Sequence, residues 1–213
     1  MTAPATAPLL QLRDLRVAFP GEAPLIDCPS LALPCGLTLI EGDTGSGKTT
    51  LLRVLAGELP AQGTLALAGI KFAQSPQAYR RAVFHVDARD PAFDALTPRA
   101  CAAAWREDDP RFDAARWSSM VEGFALGEHL DKRMDMLSTG SRRKVVLAAA
   151  LASGRALVLL DEPTAALDKA SVRWLWQALA ESTQRRARQA IVVASNLPVE
   201  GLPLAATITL PLR

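Results

Sequence analysis

Short apolar runs alternate along the chain with longer segments of helical periodicity. The runs that predict strands cover residues 9–19, 31–40, 63–70, 82–86, 156–160, 190–194 and 206–210. Helices are predicted over residues 48–59, 140–152 and 168–184, and residues 97–135 also have helical character. Strands that alternate with helices are typical of an α/β protein whose mostly parallel sheet is covered on both faces.

Composition and charge narrow the class of protein. The chain has 213 residues, of which 49% are hydrophobic and 22% are charged, as in a soluble globular domain. A net charge of +2 disfavours a polybasic nucleic-acid binder, and three scattered cysteines favour a reducing, cytosolic compartment. The apolar runs are far shorter than the roughly 20 residues that span a bilayer, so we expect any membrane role to depend on another chain.

A complete phosphate-loop motif occupies residues 42–49, which read GDTGSGKT. An apolar strand precedes it and an apolar helix follows, and in that context backbone N–H groups surround phosphate oxygens at a helix N-terminus. Lys48 is predicted to reach the β- and γ-phosphates as a binding and catalytic residue, and the Thr49 hydroxyl to bind Mg²⁺. The predicted nucleotide-binding residues here are Gly42, Asp43, Thr44, Gly45, Ser46, Gly47, Lys48, Thr49 and Thr50.

Two carboxylates, Asp161 and Glu162, follow the apolar run at residues 156–160. Burying them is costly unless a cation or hydrogen bonds meet them. Because the carboxyl ends of parallel strands line the ligand crevice of an α/β sheet, we predict that Asp161 shares a Mg²⁺ with Thr49. Glu162 is then placed to accept a proton from an attacking water. The alternative is that both acids cap the next turn.

Residues 137–141 read LSTGS, and residues 161–168 read DEPTAALD. With the phosphate loop, and in this order and spacing, they resemble the ATP-binding cassette (ABC) ATPases, with residues 137–141 similar to the LSGGQ signature and residues 165–168 to the D-loop. The resemblance covers about residues 9–210.

The resemblance implies an α/β, P-loop NTPase fold with a RecA-like core, an N-terminal antiparallel β-lobe and an inserted helical lobe. In this interpretation residues 1–213 form a single ABC ATPase domain. Residues 9–92 and 151–213 are its nucleotide-binding core with the β-lobe, and residues 93–150 are its helical lobe.

The function implied by the resemblance is that of the ATP-binding subunit of an ABC transporter. Such a subunit binds Mg-ATP at the interface with a second cassette, of the same or another chain, and hydrolyses it to drive transmembrane permease subunits. It is cytoplasmic and lies on the inner face of the membrane. The chain is also similar to compact export cassettes, including the one used in cytochrome c maturation.

The signature residues are expected to contact ATP held by the second cassette. They would begin a helix whose N-terminus points at the γ-phosphate, and a plain helix cap at Ser138 is compatible with the same geometry. The residues concerned are Ser138, Thr139, Gly140 and Ser141.

Three further positions decide how closely the site follows the family. Phe19 lies where an aromatic ring stacks on adenine, and a core phenylalanine is the alternative. Asp87 stands where the family has its Q-loop glutamine, and Ser195, followed by Asn196, where it has its switch histidine. We predict that Asp87 binds Mg²⁺ and that Ser195 replaces the histidine less effectively, because losing one transition-state contact costs about 10²–10³ in rate. The hypothesis is ATP binding with slow or partner-dependent hydrolysis.

Two other functions stay open. One is a degenerate regulatory cassette that binds ATP without hydrolysing it, and the other is a soluble ABC-type ATPase that acts on ribosomes or DNA, which the near-neutral charge disfavours. The Arg-Arg-Lys run at residues 142–144 is expected to form a solvated helix face. Phe84, Phe93 and Leu96 are expected to receive a helix of the membrane partner.

Overall fold

The computed structural model describes residues 8–18, 21, 23–185, 188–196, 199 and 201–212, so Phe19 lies outside the described residues. The strands are β1 Leu10–Val17, β2 Ile26–Leu33, β3 Gly36–Glu41, β4 Gln62–Leu67, β5 Ile70–Lys71, β6 Val83–Phe84, β7 Leu157–Asp161, β8 Ala190–Ser195 and β9 Leu204–Thr209. They form an antiparallel sheet in the order β2-β1-β4-β5 and a parallel sheet in the order β6-β7-β8-β3-β9. The predicted α/β fold with an N-terminal antiparallel lobe is confirmed.

Six α-helices and three short 3-10 turns connect the described strands. The helices are α1 Lys48–Leu55, α2 Pro76–Arg81, α3 Pro98–Asp108, α4 Ala114–Gly123, α5 Thr139–Ala152 and α6 Lys169–Arg185. The 3-10 turns are Pro91–Phe93, Gly127–His129 and Met134–Met136. Within the described part of the chain, no helix combines the length and the apolar character needed to cross a bilayer.

The parallel sheet separates two hydrophobic cores because its central strands are buried on both faces. In β7, Leu157 and Leu159 pack with the antiparallel sheet and α1, whereas Val158 and Leu160 pack with α5 and α6. β8 alternates in the same way along Ala190–Ser195. These nearly continuous apolar runs are what identified both strands in the sequence.

Turns split two of the predicted strands. The run at 31–40 contains a turn that ends β2 at Leu33 and begins β3 at Gly36, which has φ +102°. The run at 63–70 bends back at Ala68 and Gly69, both with positive φ, to make a tight hairpin between β4 and β5. The start of β2 and all of α2 were missed by the sequence analysis.

The missed helix α2 completes the C-terminal end of α1. The Tyr79 hydroxyl donates to the Leu55 carbonyl at 2.8 Å, and the Arg80 guanidinium donates twice to the Gly57 carbonyl. Carbonyls at the end of a helix have no partner within the helix, so these side chains supply the missing donors. The phosphate-loop helix is therefore held at its far end by a segment that follows β5.

Sheet register brings three loops to one edge of the protein. Glu41 of β3 pairs with Ser195 of β8, and Ala194 pairs with Asp161 of β7. The parallel strands consequently end side by side, and the segments that leave them start next to one another. Those segments are the phosphate loop, Glu162 and its neighbours, and the turn at Asn196.

Candidate nucleotide site

The loop at 42–47 wraps around the N-terminus of α1. Gly47 caps the helix with φ +100° and makes no side-chain cap hydrogen bond, so the first N–H groups of α1 have no side-chain acceptor there. Gly42 has φ +152°, and a Cβ at this position would lie 2.7 Å from Ser46 Oγ and 3.0 Å from the Leu210 carbonyl. The close packing around Gly42 explains why the loop needs glycine at this position.

Lys48 uses all three of its ammonium protons inside this loop region. Its Nζ donates to the Gly42 carbonyl at 2.7 Å, to the Asp43 carbonyl at 3.0 Å and to Asn196 Oδ1 at 2.5 Å. Lys48 is only 7% exposed. A buried ammonium of this kind is a fixed positive charge, and an anion that enters the loop replaces one of these acceptors.

Thr49 and Asp161 meet as the sequence predicts. The Thr49 hydroxyl donates to Asp161 Oδ2 at 2.7 Å, across 112 positions of sequence. Asp161 Oδ1 is buried and has no hydrogen-bond partner among the residues that the structure describes. A hydroxyl beside a carboxylate with an unused oxygen is a donor set that suits Mg²⁺, which prefers oxygen ligands and keeps several waters.

Glu162 is strained and partly desolvated. Its backbone has φ +43°, and its N–H donates to the Ala194 carbonyl at 2.9 Å. Burial raises the pKa of Glu162, while the Asn196 backbone N–H, which hydrogen-bonds the carboxylate, and the charge of Lys48 act in the opposite direction. Its Oε1 is buried and unpaired within the described residues. These features are suited to a group that accepts a proton.

The signature segment begins α5 with a regular side-chain cap. Ser138 Oγ accepts from the Ser141 backbone N–H at 3.1 Å and donates to Ser141 Oγ at 2.9 Å. Ser138 and Thr139 are exposed. A Cβ on Gly140 would lie 2.4 Å from the Ala166 carbonyl, so only glycine allows α5 to approach the 165–168 turn this closely.

With this geometry established, the comparison with known proteins is direct. A family model described as ABC transporter matches residues 30–165. This chain belongs to the ABC transporter family. The match runs from β2 through the phosphate loop and the signature to the Asp161–Glu162 pair.

Known relatives cover most of this ABC cassette. The cytochrome c biogenesis ATP-binding export protein CcmA of Alkalilimnicola ehrlichii is 36% identical over 203 residues, which are 92% of this chain and 85% of that protein. The zinc import ATP-binding protein ZnuC of Halorhodospira halophila is 33% identical over 196 residues, 91% and 70% of the two chains. ATP-binding cassette sub-family A member 7 of Rattus norvegicus is 32% identical over 195 residues, 89% of this chain, but the chain spans only 9% of that protein's length.

Solved structures agree on the fold. An ATP-binding subunit of an ABC transporter superposes with a TM-score of 0.78 at 19% identity, over 89% of this chain and 80% of that one. The P-loop NTPase fold expected from the sequence is confirmed.

Asn196, the residue after Ser195, also lies where the family's switch histidine is expected, and it contacts the site residues. Ser195 is 3% exposed and is the last residue of β8, opposite Glu41. Asn196 is exposed and contacts both Lys48, through Oδ1, and Glu162, through its backbone N–H. The sequence analysis chose Ser195 and passed over Asn196. The available signal was position: Ser195 is the last residue of an apolar strand that is buried throughout, and Asn196 is the first residue after the strand end.

Asp87 lies beside the phosphate site but is engaged by a neighbour. Asp87 Oδ1 accepts from the Arg89 backbone N–H at 2.9 Å and from Arg89 Nε at 3.1 Å, and Oδ2 accepts from Arg89 Nη2 at 3.0 Å. The hydrogen bond from the Arg89 side chain lowers the pKa of Asp87, so the carboxyl stays ionised. The predicted binding of Mg²⁺ by Asp87 thus competes with this ion pair.

The prediction that residues 142–144 form a solvated helix face is wrong. The Arg142 and Lys144 side chains are only 15% and 16% exposed, and Lys144 Nζ donates to Asp168 Oδ2 at 2.8 Å. Arg143 Nη1 donates to the Glu162 carbonyl at 2.5 Å. The run looks like a surface patch in sequence because it is polar, but each cation finds an acceptor in a different neighbouring segment.

The expected docking groove for a membrane partner is also partly covered. Phe84 is only 4% exposed and lies edge-on to Trp105, with ring centroids 6.0 Å apart. Phe93 also packs on Trp105, with ring centroids 5.6 Å apart. Leu96 remains 37% exposed. Phe84 is therefore a core residue, and only Leu96 offers the exposed apolar surface that was expected.

Proposed function

We propose that this protein is an ATP-binding subunit that takes up Mg-ATP between its own phosphate loop and the signature segment of a second cassette. Hydrolysis is slow, and it drives a membrane-embedded permease. The observation that supports this most directly is the connected site in which Lys48, Thr49, Asp161 and Glu162 meet at one sheet edge. Membership of the ABC transporter family supports the same assignment.

Different residues of the chain bind the phosphates, hold Mg²⁺, accept a proton and stack on adenine. The glycine-rich loop presents backbone N–H groups to the phosphates, and Lys48 adds a buried positive charge. Thr49 and Asp161 hold Mg²⁺, which supplies charge neutralisation at the phosphoryl oxygens. Glu162 accepts the proton of the attacking water, and its raised pKa brings it closer to neutral pH, where a general base works best. Phe19 is proposed to stack on adenine.

The exposed signature segment completes the site in a second cassette. Ser138 and Thr139 face solvent in the single chain, so they are free to meet a phosphate held elsewhere. The N-terminus of α5 favours an anion through its dipole. We place the dimer interface on the face that contains both the phosphate loop and residues 138–141.

Slow hydrolysis follows from the polar groups around the γ-phosphate position. Ser195 and Asn196 are uncharged, so neither supplies the cation that the family's switch histidine can provide. Asp87 adds a negative charge near the triphosphate in place of a neutral glutamine. Both changes weaken the stabilisation of a transition state that is rich in negative charge.

The membrane partner sets the location of the protein. A permease that docks near Leu96 would keep this cytoplasmic subunit at the inner face of the membrane. The named relatives include both import and export proteins, so the proposal specifies a transporter subunit and leaves the cargo open.

Purified protein tests the proposal in two measurements. Calorimetry should detect Mg-ATP binding, and phosphate release should be well below the roughly 10 per second of an average enzyme. Turnover at ordinary rates by the isolated chain contradicts slow hydrolysis. Binding without any turnover, even with permease present, favours the regulatory cassette, and co-purification with ribosomes or DNA favours the soluble ATPase.

A further inference from the structure

The segment that follows β6 contains an arginine whose charge suits ATP. Arg89 donates three hydrogen bonds of 2.9 to 3.1 Å to Asp87. One comes from its backbone N–H, and two come from its guanidinium, which faces the carboxylate. A carboxylate alone at Asp87 would repel a triphosphate, whereas the Asp87–Arg89 pair has no net charge.

Arg89 lines the same cavity as Thr49 and the Asp161–Glu162 pair. That cavity has a volume of about 740 Å³, and its walls include Thr49, Asp87, Arg89, Asp161 and Glu162. The Arg89 side chain is 76% exposed, and Nη1 makes no hydrogen bond to any part of the chain that the structure describes. One nitrogen of a fixed guanidinium is thus available for an anion in this cavity.

The signature helix holds this segment on both sides of Arg89. Arg142 of α5 donates from Nε to the Ala88 carbonyl at 2.9 Å and from Nη2 to the Asp90 carbonyl at 3.3 Å. Its Nη1 also pairs with Asp94 Oδ1 at 2.6 Å. Since Arg142 is the residue directly after the signature, its hydrogen bonds connect the start of α5 to the backbone on both sides of Arg89.

We propose that Arg89 is a catalytic residue that contacts the γ-phosphate of ATP, with Asp87 and Arg142 as positioning residues. Arg89 thereby replaces part of the positive charge that the switch position lacks, and hydrolysis stays slow because the guanidinium is also paired with Asp87. Closure of a second cassette on the signature then places Arg89 through Arg142. This inference rests on the proposed binding of Mg-ATP.

Affinities for Mg-AMPPNP and Mg-ADP, measured by calorimetry, separate a γ-phosphate contact from general effects. Arg89→Ala should weaken Mg-AMPPNP binding about tenfold and Mg-ADP binding less than about twofold, since a hydrogen bond to a charged group is lost only with the triphosphate. Arg89→Lys keeps the positive charge, so its affinity for Mg-AMPPNP should lie between those of the unmodified protein and Arg89→Ala. Arg106→Ala removes an exposed arginine of α3 and should change neither affinity.

Arg142 is tested through a double variant. If Arg142 acts through Arg89, Arg142→Gln should lower the AMPPNP-to-ADP preference, Arg142→Lys should restore part of it, and Arg89→Ala/Arg142→Gln should lose no more than Arg89→Ala alone. A purely structural role would lower thermal stability and leave the preference unchanged. If the Arg142 variants do not fold, the Arg89 variants, at an exposed side chain, still decide the contact.

These measurements test the role of Arg89 separately from the proposed binding of Mg-ATP and from the role of Asp87. An unchanged AMPPNP-to-ADP preference in Arg89→Ala, with normal binding by the unmodified protein, overturns the role of Arg89 and leaves the proposed function intact. Failure of the unmodified protein to bind either nucleotide overturns the proposed function itself. Loss of Mg²⁺ dependence in Asp87→Asn would instead assign Asp87 to the metal and contradict its pairing role.

Discussion

The phosphate loop and the signature segment each present the N-terminus of a helix, but they are capped in opposite ways. Gly47 begins α1 without any side-chain cap, and the buried Lys48 lies beside it. Ser138 begins α5 with a side-chain cap on Ser141, and the turn is exposed. The first region has backbone donors without a side-chain acceptor and a buried positive charge, whereas the second is satisfied by its own side-chain cap and lies open on the surface.

The difference shows which half of the site is complete in one chain. Lys48, Thr49 and Glu162 already contact partners at the carboxyl ends of β3, β7 and β8, so the phosphate half needs only its ligand. In the signature half, the Ser138 side chain hydrogen-bonds within its own helix start, and Gly140 lies against the 165–168 turn. Binding should therefore be a property of one chain, and hydrolysis a property of two.

The largest effect is expected at the proton acceptor. Glu162→Gln keeps the shape of the side chain and removes its basicity, so turnover should fall about 10²–10⁴-fold while Mg-ATP binding is retained. Phosphate release and calorimetry measure the two quantities. Gel filtration with Mg-ATP should show a dimer that accumulates because hydrolysis no longer separates it. Unchanged turnover would contradict the role of Glu162.

Lys48→Ala should weaken Mg-ATP binding roughly 10- to 150-fold, because hydrogen bonds to charged groups contribute about 1.5–3 kcal/mol. The loss should already be present at protein concentrations where the chain is a monomer, since Lys48 belongs to the complete half. Calorimetry gives the affinity, and Lys132→Ala, at an exposed lysine, is the matched control. Equal binding by both variants would place the nucleotide elsewhere.

Asn196→Ala should strengthen nucleotide binding by about two- to tenfold, the worth of a typical hydrogen bond. Its Oδ1 is one of the three acceptors of the Lys48 ammonium, and a phosphate that binds Lys48 must replace one of them. Ser195→Ala, at the neighbouring buried position, should not strengthen binding. Weaker binding by Asn196→Ala would show that this amide contacts the nucleotide and does not compete with it.

Ser138→Ala should have the smallest effect on the isolated chain. Removing the helix cap costs about 1 kcal/mol of unfolding free energy, and nucleotide affinity of the monomer should stay the same. Thermal unfolding measures the first and calorimetry the second, with Ser118→Ala, at an exposed helical serine, as control. A large loss of monomer affinity would mean that the signature reaches the nucleotide within its own chain.

The phosphate loop, the Thr49–Asp161 contact and the α/β fold could all be predicted from the sequence. Each depends on local pattern: a complete loop motif, apolar strands buried on both faces, and acids at a strand end. The division into a core at 9–92 and 151–213 and a helical lobe at 93–150 stays a prediction. Phe19 as the adenine contact also stays a prediction, because it lies outside the described residues.

The sequence alone determined what kinds of groups this protein has and roughly which strand or helix each one belongs to. Only the tertiary structure decided their partners: that Lys48 meets Asn196, that Arg142 hydrogen-bonds the backbone on both sides of Arg89, and that Phe84 packs edge-on against Trp105. The reason is physical. Motifs and periodicity predict local backbone structure. The hydrogen-bond partner of a long polar side chain depends instead on which acceptor the packing of other segments brings within its reach.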